Sequence, residues 1–245
     1  LSDVLALVFS WVAIVISKRK PSLRFTYGLR RTTILTAIIN TLLLIVTVGF
    51  IAGEAILRIK SGVQIQSQTI IMVASFGILV NGFTAFLFIK GKEHDLNIKS
   101  SFLHFVADAL VSLGVVIAGI IILFTGITWI DSAVSLLIAA FILYSSYRLL
   151  IDSINLALDA VPKDIDINAV SEYLLGLKDV SSIHDLHVWA LSTSETALTV
   201  HLVTNSSTDD NLLHEINHYL DDNFGIKHST IQVEQSGSKP CFPCV

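Results

Sequence analysis

Apolar residues collect in runs at 4–17, 33–57, 69–89, 101–124 and 131–151. Apart from the short first run, each is long enough to cross a hydrocarbon core of about 30 Å as a helix. The pattern therefore predicts five membrane spans. Beyond residue 152 it changes character. Strict alternation runs through ALTVHLVT, and Leu212, Leu213, Ile216, Leu220 and Phe224 fall on one helical face. The elements predicted there are a helix near 166–177, strands near 182–191 and 195–204, a helix near 209–224 and a strand near 228–234. This αββαβ order implies a ferredoxin-like α/β domain. The expected architecture is an α-helical membrane bundle over 1–152 followed by an α/β domain over 153–245.

Composition agrees with a membrane chain: 53% hydrophobic, 15% charged, mean hydropathy +0.71. Charge separates the two parts. Residues 1–152 carry 12 Lys/Arg against 7 Asp/Glu, and 153–245 carry 4 against 13. The connections holding Lys18, Arg19, Lys20, Arg24, Arg30 and Arg31, and Lys90, Lys92 and Lys99, are expected on the cytoplasmic side, which also puts the acidic C-terminal domain in the cytoplasm. That domain has no arginine, which excludes nucleic-acid work. The chain begins LSDVLALVF, already inside an apolar run and with no basic n-region. A piece lacking the preceding span and part of this one is expected.

Within the spans, His104 and Asp108 stand four residues apart in HFVADALVSLG, on one helical face. Imidazole plus carboxylate is half a ligand set for zinc or a similar divalent ion. An ionisable pair at membrane depth reads first as an ion site or proton relay; a helix-stapling hydrogen bond is the plainer alternative. Asp3, at the start of the first run, is similar in kind, and two such carboxylates call for a shared cation or protons. Glu54 and Arg58 read as an interfacial i, i+4 salt bridge, and Asn81 as an interhelical hydrogen bond.

The ordered set LSDVLALVFSW, FTYGLRR, HDLNIKSSFLHFVADALVSLGVVIAG, WIDSAVSLLIA, VSSIHDLHVWAL and HSTIQVE resembles the cation diffusion facilitator family of divalent-metal/proton antiporters. The resemblance implies a six-span fold. It also implies a transport site built from two His-x3-Asp pairs, to which this chain contributes Asp3, His104 and Asp108; the remaining His would precede Leu1. It further implies a homodimer joined through the C-terminal domain, and a cytoplasmic zinc site at His184, His201, His228 and Glu234. Cys241 and Cys244 resemble the CxxC extension of some relatives. Thr33 departs from the family, many members of which have an acidic residue there. Two nitrogens and two oxygens favour Zn2+, with Cd2+ or Co2+ as further cargo. The short loops suggest a bacterial plasma membrane.

The expected function is export of a divalent cation in exchange for protons, with no enzymatic activity. Two other readings compete. One is a nontransporting membrane metal sensor or heterodimer partner. The other is a membrane-bound zinc protease using HEINH, in which His214 and His218 would hold zinc and Glu215 would activate water. The helical period places that motif opposite Leu212, Ile216 and Leu220, facing solvent, so a polar helix face that picks up metal adventitiously explains it more simply.

Overall fold

The computed structural model describes residues 2–61, 67–89, 96–126, 129–205 and 210–237. Five helices come first: α1 (Ser2–Ser17), α2 (Thr32–Ser61), α3 (Ser67–Phe88), α4 (Leu96–Thr125) and α5 (Trp129–Ala157). The α/β part follows as α6 (Ile167–Leu175), β1 (Val180–Ala190), β2 (Thr196–Thr204), α7 (Asp210–Phe224) and β3 (Ile226–Gln235). This is the αββαβ order read from the sequence. The chain forms two compact units, one of Leu1–Leu43 with Tyr147–Val245 and one of Leu44–Ser146.

Among the described residues, Thr32–Ile59, Asp108–Thr125 and Ser132–Ala157 are long and apolar enough to cross a membrane, whereas Ile71–Leu87 of α3 is shorter. Helix α1 has 16 residues and rises only about 24 Å. Among the described residues, three of the five predicted runs thus have the length and hydropathy of full spans. Helix α5 continues past its apolar run to Ala157, where Asp152 pairs with Lys163 at 2.5 Å.

The helices invert the usual pattern of burial. In the unit Leu44–Ser146, Phe76, Leu79 and Phe86 are 68%, 70% and 67% exposed, while the buried positions are mostly small: Ala55, Ala85, Ala118, Ser132, Ala139 and Ser146. Lipid tails solvate large apolar side chains as well as a protein core does, so helix contacts there depend on close backbone approach at small residues. At Gly77 an added Cβ would lie 3.0 Å from Ser112 Oγ, so α3 and α4 meet at a position where any larger residue must displace the serine. Hydroxyls within the spans donate one turn back, Thr41 to Ala37 O at 2.7 Å and Thr84 to Val80 O at 2.8 Å. Each such bond removes an unsatisfied donor from the apolar region.

The α/β part has a conventional core. β1 pairs antiparallel with β2, and β2 parallel with β3, giving the sheet order β1-β2-β3. Leu198, Val200 and Leu202 of central β2 pack with Val170 and Leu174 of α6 and Ile216 and Leu220 of α7, all fully buried. Both helices therefore cover one sheet face. The alternate β2 residues Thr199, His201 and Val203 are only half-buried and belong to the other face. Asp166 caps α6, its carboxylate accepting from Asn168 N at 2.9 Å, and Gly225, at φ +67°, lets the chain turn from α7 into β3. Truncating Leu198 to Ala should destabilise this domain by about 2–5 kcal/mol. Hydrogen exchange should show loss of protection in all three strands, with the amides of α2 and α4 unaffected.

Candidate functional site

The half-buried face of the sheet carries the site. His184 on β1 and His201 on β2 are paired directly across the antiparallel ladder, and their rings meet edge-on with centroids 4.8 Å apart. Just beyond His184 the register slips: three steps along β1, from His184 to His187, oppose two along β2, from His201 to Thr199. This bulge puts Asp185 at φ +55°, a left-handed conformation that Asp tolerates better than most residues. Bulges re-aim neighbouring side chains. Here the bulged residue turns its carboxylate to His187 Nε2 at 3.1 Å and to His201 Nε2 at 3.8 Å.

Glu234, near the end of β3, completes the group. Its Oε1 is 3.0 Å from His201 Nδ1 and its Oε2 is 3.3 Å from His184 Nε2. Gln232 Nε2 also donates to Oε1 at 3.0 Å. One donor atom each from His184, His201 and Glu234 lies within 4.8 Å of the others, the grouping of metal-ligating type found among the described residues. A tetrahedral zinc with bonds of about 2.0–2.2 Å needs donors ~3.3–3.6 Å apart, so small rotamer changes suffice to close this set on a cation. Two imidazoles and a carboxylate leave a fourth position open.

Burial pushes the Glu234 carboxyl upward in pKa, but hydrogen bonds from His184 and His201, the electrostatic attraction of His184 and the Gln232 amide outweigh it. The carboxyl ends below its ordinary value. A carboxyl lowered in this way stabilises the fold fully above the ordinary carboxylate range, and that stabilisation disappears as pH falls through the lowered pKa. In Glu234→Gln the acid limb of this domain's stability should flatten. Denaturant midpoints measured across that range in both proteins check the difference.

The other expected site residues lie elsewhere. His228 pairs with Ala197, whereas Glu234 pairs with Val203; about 20 Å of strand separates the two, and the His228 ring instead meets Tyr27 edge-on at 5.4 Å. Asp3 lies in α1. His104 and Asp108 lie one turn apart in the continuous helix α4, and Asp108 is half-buried. Cys241 and Cys244 lie outside the described residues. In HEINH, His214, Glu215 and His218 are all exposed, and among the described residues no group of three donors forms there. The Tyr173 phenol is raised in pKa by burial and then by the charge of Glu215.

Sequence reasoning missed Asp185, for which the only signal was an acid between two histidines in HDLH. It also missed what the basic loop touches. Arg30 binds Glu195 at 2.6 Å, Arg31 pairs with Asp159, and Thr193 N donates to Thr33 Oγ1 at 3.2 Å. Thr33, the departure noted above, makes its contact through a hydroxyl.

Comparison with known proteins covers both parts of the chain. Residues 1–156 match the family described as the cation efflux transmembrane domain, and residues 162–236 the cation efflux protein cytoplasmic domain. The chain is 39% identical over 243 residues to the metal cation efflux system protein CzcD of Cupriavidus metallidurans, covering 98% of this chain and 76% of that protein. It is 35% identical over 244 residues to the zinc transporter ZitB of Escherichia coli, covering 98% and 77%. With the cadmium, cobalt and zinc/H(+)-K(+) antiporter of Bacillus subtilis it shares 32% identity over 240 residues, covering 96% and 77%.

Proposed function

Because the chain belongs to the cation efflux family, we propose that it exports a divalent metal cation across a membrane in exchange for protons. Zinc is the first cargo, with cadmium and cobalt after it. The observation that carries this reading is the half-buried Asp108 carboxylate inside α4, one turn from His104 in a helix otherwise fit for lipid. Relatives named for zinc, cadmium and cobalt transport support the cargo. Asp3, His104 and Asp108 are the ligands this chain contributes. Aspartate and histidine bind metal only when deprotonated, so protons entering from the far side compete with the cation for the same atoms. The exchange needs no further chemistry than this competition.

In this reading residues 1–152 transport and 153–245 form a cytoplasmic regulatory and dimerisation domain. The half-buried sheet face then senses cytoplasmic zinc through His184, His201 and Glu234, and the protein works as a homodimer. Bacterial relatives support a bacterial inner membrane. In proteoliposomes under an imposed pH gradient, zinc uptake by the wild-type protein should be abolished by Asp108→Ala. Equal uptake by both would overturn the transport site, and silence of both, with zinc still bound, would replace transport by sensing. His201→Ala should leave uptake intact at saturating zinc while shifting its zinc dependence, a change read by repeating the flux at graded zinc.

A further inference from the structure

The His-x3-His pair of α7 is used neither by transport nor by the sheet-face cluster. Helix α7 buries Ile216 and Leu220 and turns the opposite side outward, so His214 and His218 project one turn apart into solvent. Their ring centroids are 4.7 Å apart, with the planes inclined at 52°. Beside them lies a groove of about 310 Å³ that also takes in Asn217, Asp221, Lys227, His228 and Ser229. Its floor is fixed where β3 meets the helix, Ser229 Oγ donating to Asn217 Oδ1 at 2.5 Å.

We propose that His214 and His218 form a second, independent divalent-cation site on the outer surface of the C-terminal domain, binding zinc-class ions weakly and reversibly through two imidazoles. Imidazoles one helical turn apart can chelate a single ion, as the metal-binding helices of HExxH proteins do. Imidazole donors select the later first-row divalent ions over magnesium or calcium. Asp221, one turn beyond His218, supplies a carboxylate at the groove edge and lowers the local potential, and Lys227 opposes it. With water filling the remaining positions the ion exchanges readily.

This site and the sheet-face cluster cannot share an ion. His201 alternates with the core residues Val200 and Leu202, which face α6 and α7, so the cluster is on the far side of the sheet from the helices. His214 and His218 line a groove with Lys227, His228 and Ser229 at the start of β3, about 20 Å along that strand from Glu234.

The test is equilibrium dialysis of the full chain in detergent against graded free zinc. His214→Ala/His218→Ala should lose a weak class of zinc sites that His184→Ala/His201→Ala retains. Glu215→Gln should leave that class unchanged, and Lys227→Gln should tighten it. Both histidines are exposed and alanine favours helix, so the fold survives the double substitution, which circular dichroism verifies. A wild-type isotherm from the His214/His218 variant, or an equal loss from Glu215→Gln, overturns the proposal. The readout is binding and requires no flux, so it stands or falls separately from transport.

Discussion

A carboxylate inside a helix otherwise suited to lipid is the constraint on which the membrane half depends. Placing an ionised Asp near the middle of a span costs about 2.5–3.5 kcal/mol on insertion scales, while an i, i+4 contact on a helix returns roughly 0.2–0.5 kcal/mol. Such a contact alone returns less than that cost. In the reading proposed above, a proton and a cation meet the Asp108 charge in turn. The small buried residues of α3 to α5 follow from the same solvent, because with apolar side chains already at home in lipid only close backbone approach holds helices together.

In the C-terminal domain the equivalent constraint is geometric. Two strands in regular register would bring His184 and His201 opposite each other, but would also place Asp185 on the core side, opposite Val200. The bulge avoids burying that charge. It takes up one extra residue, puts Asp185 in a left-handed conformation and leaves the carboxylate beside His187 and His201. Parallel pairing of β3 then brings Glu234 alongside His201 from the other edge. Three donors separated by up to 50 residues converge because the ladders fix where each strand ends.

The pattern of apolar positions made most of the fold legible, since solvent acts on each residue locally: the five apolar runs, the alternation in ALTVHLVT and the inward face of α7 all appear where hydropathy places them. The exposure of HEINH was readable for the same reason. What the sequence did not carry was register. Nothing in VSSIHDLHVWA marks the extra residue at Asp185, and nothing in HSTIQVE tells that His228 and Glu234 are at opposite ends of a parallel pairing. Long-range ion pairs were hidden similarly. Arg30 was visible as a positive charge in a loop, but its partner Glu195 comes 165 residues later and has no local signature.

The loop between α1 and α2 shows how the parts of one compact unit are joined. It carries the positive charge of its side, and Arg30 and Arg31 hold carboxylates of Glu195 and Asp159. All four groups are more than a third exposed, so each pair contributes only about 0–1 kcal/mol and weakens with salt. The attachment rests on several weak contacts together, including Thr33 with Thr193 and Tyr27 with His228. Thr193 and Glu195 occupy the turn between β1 and β2, the same two strands that present His184 and His201. The loop following the helix that bears Asp3 therefore grips the hairpin that bears two of the sheet-face donors. Continuity of this kind becomes coupling only where the hairpin has two arrangements that a cation distinguishes. The register slip at Asp185 lies within that hairpin, beside the donors.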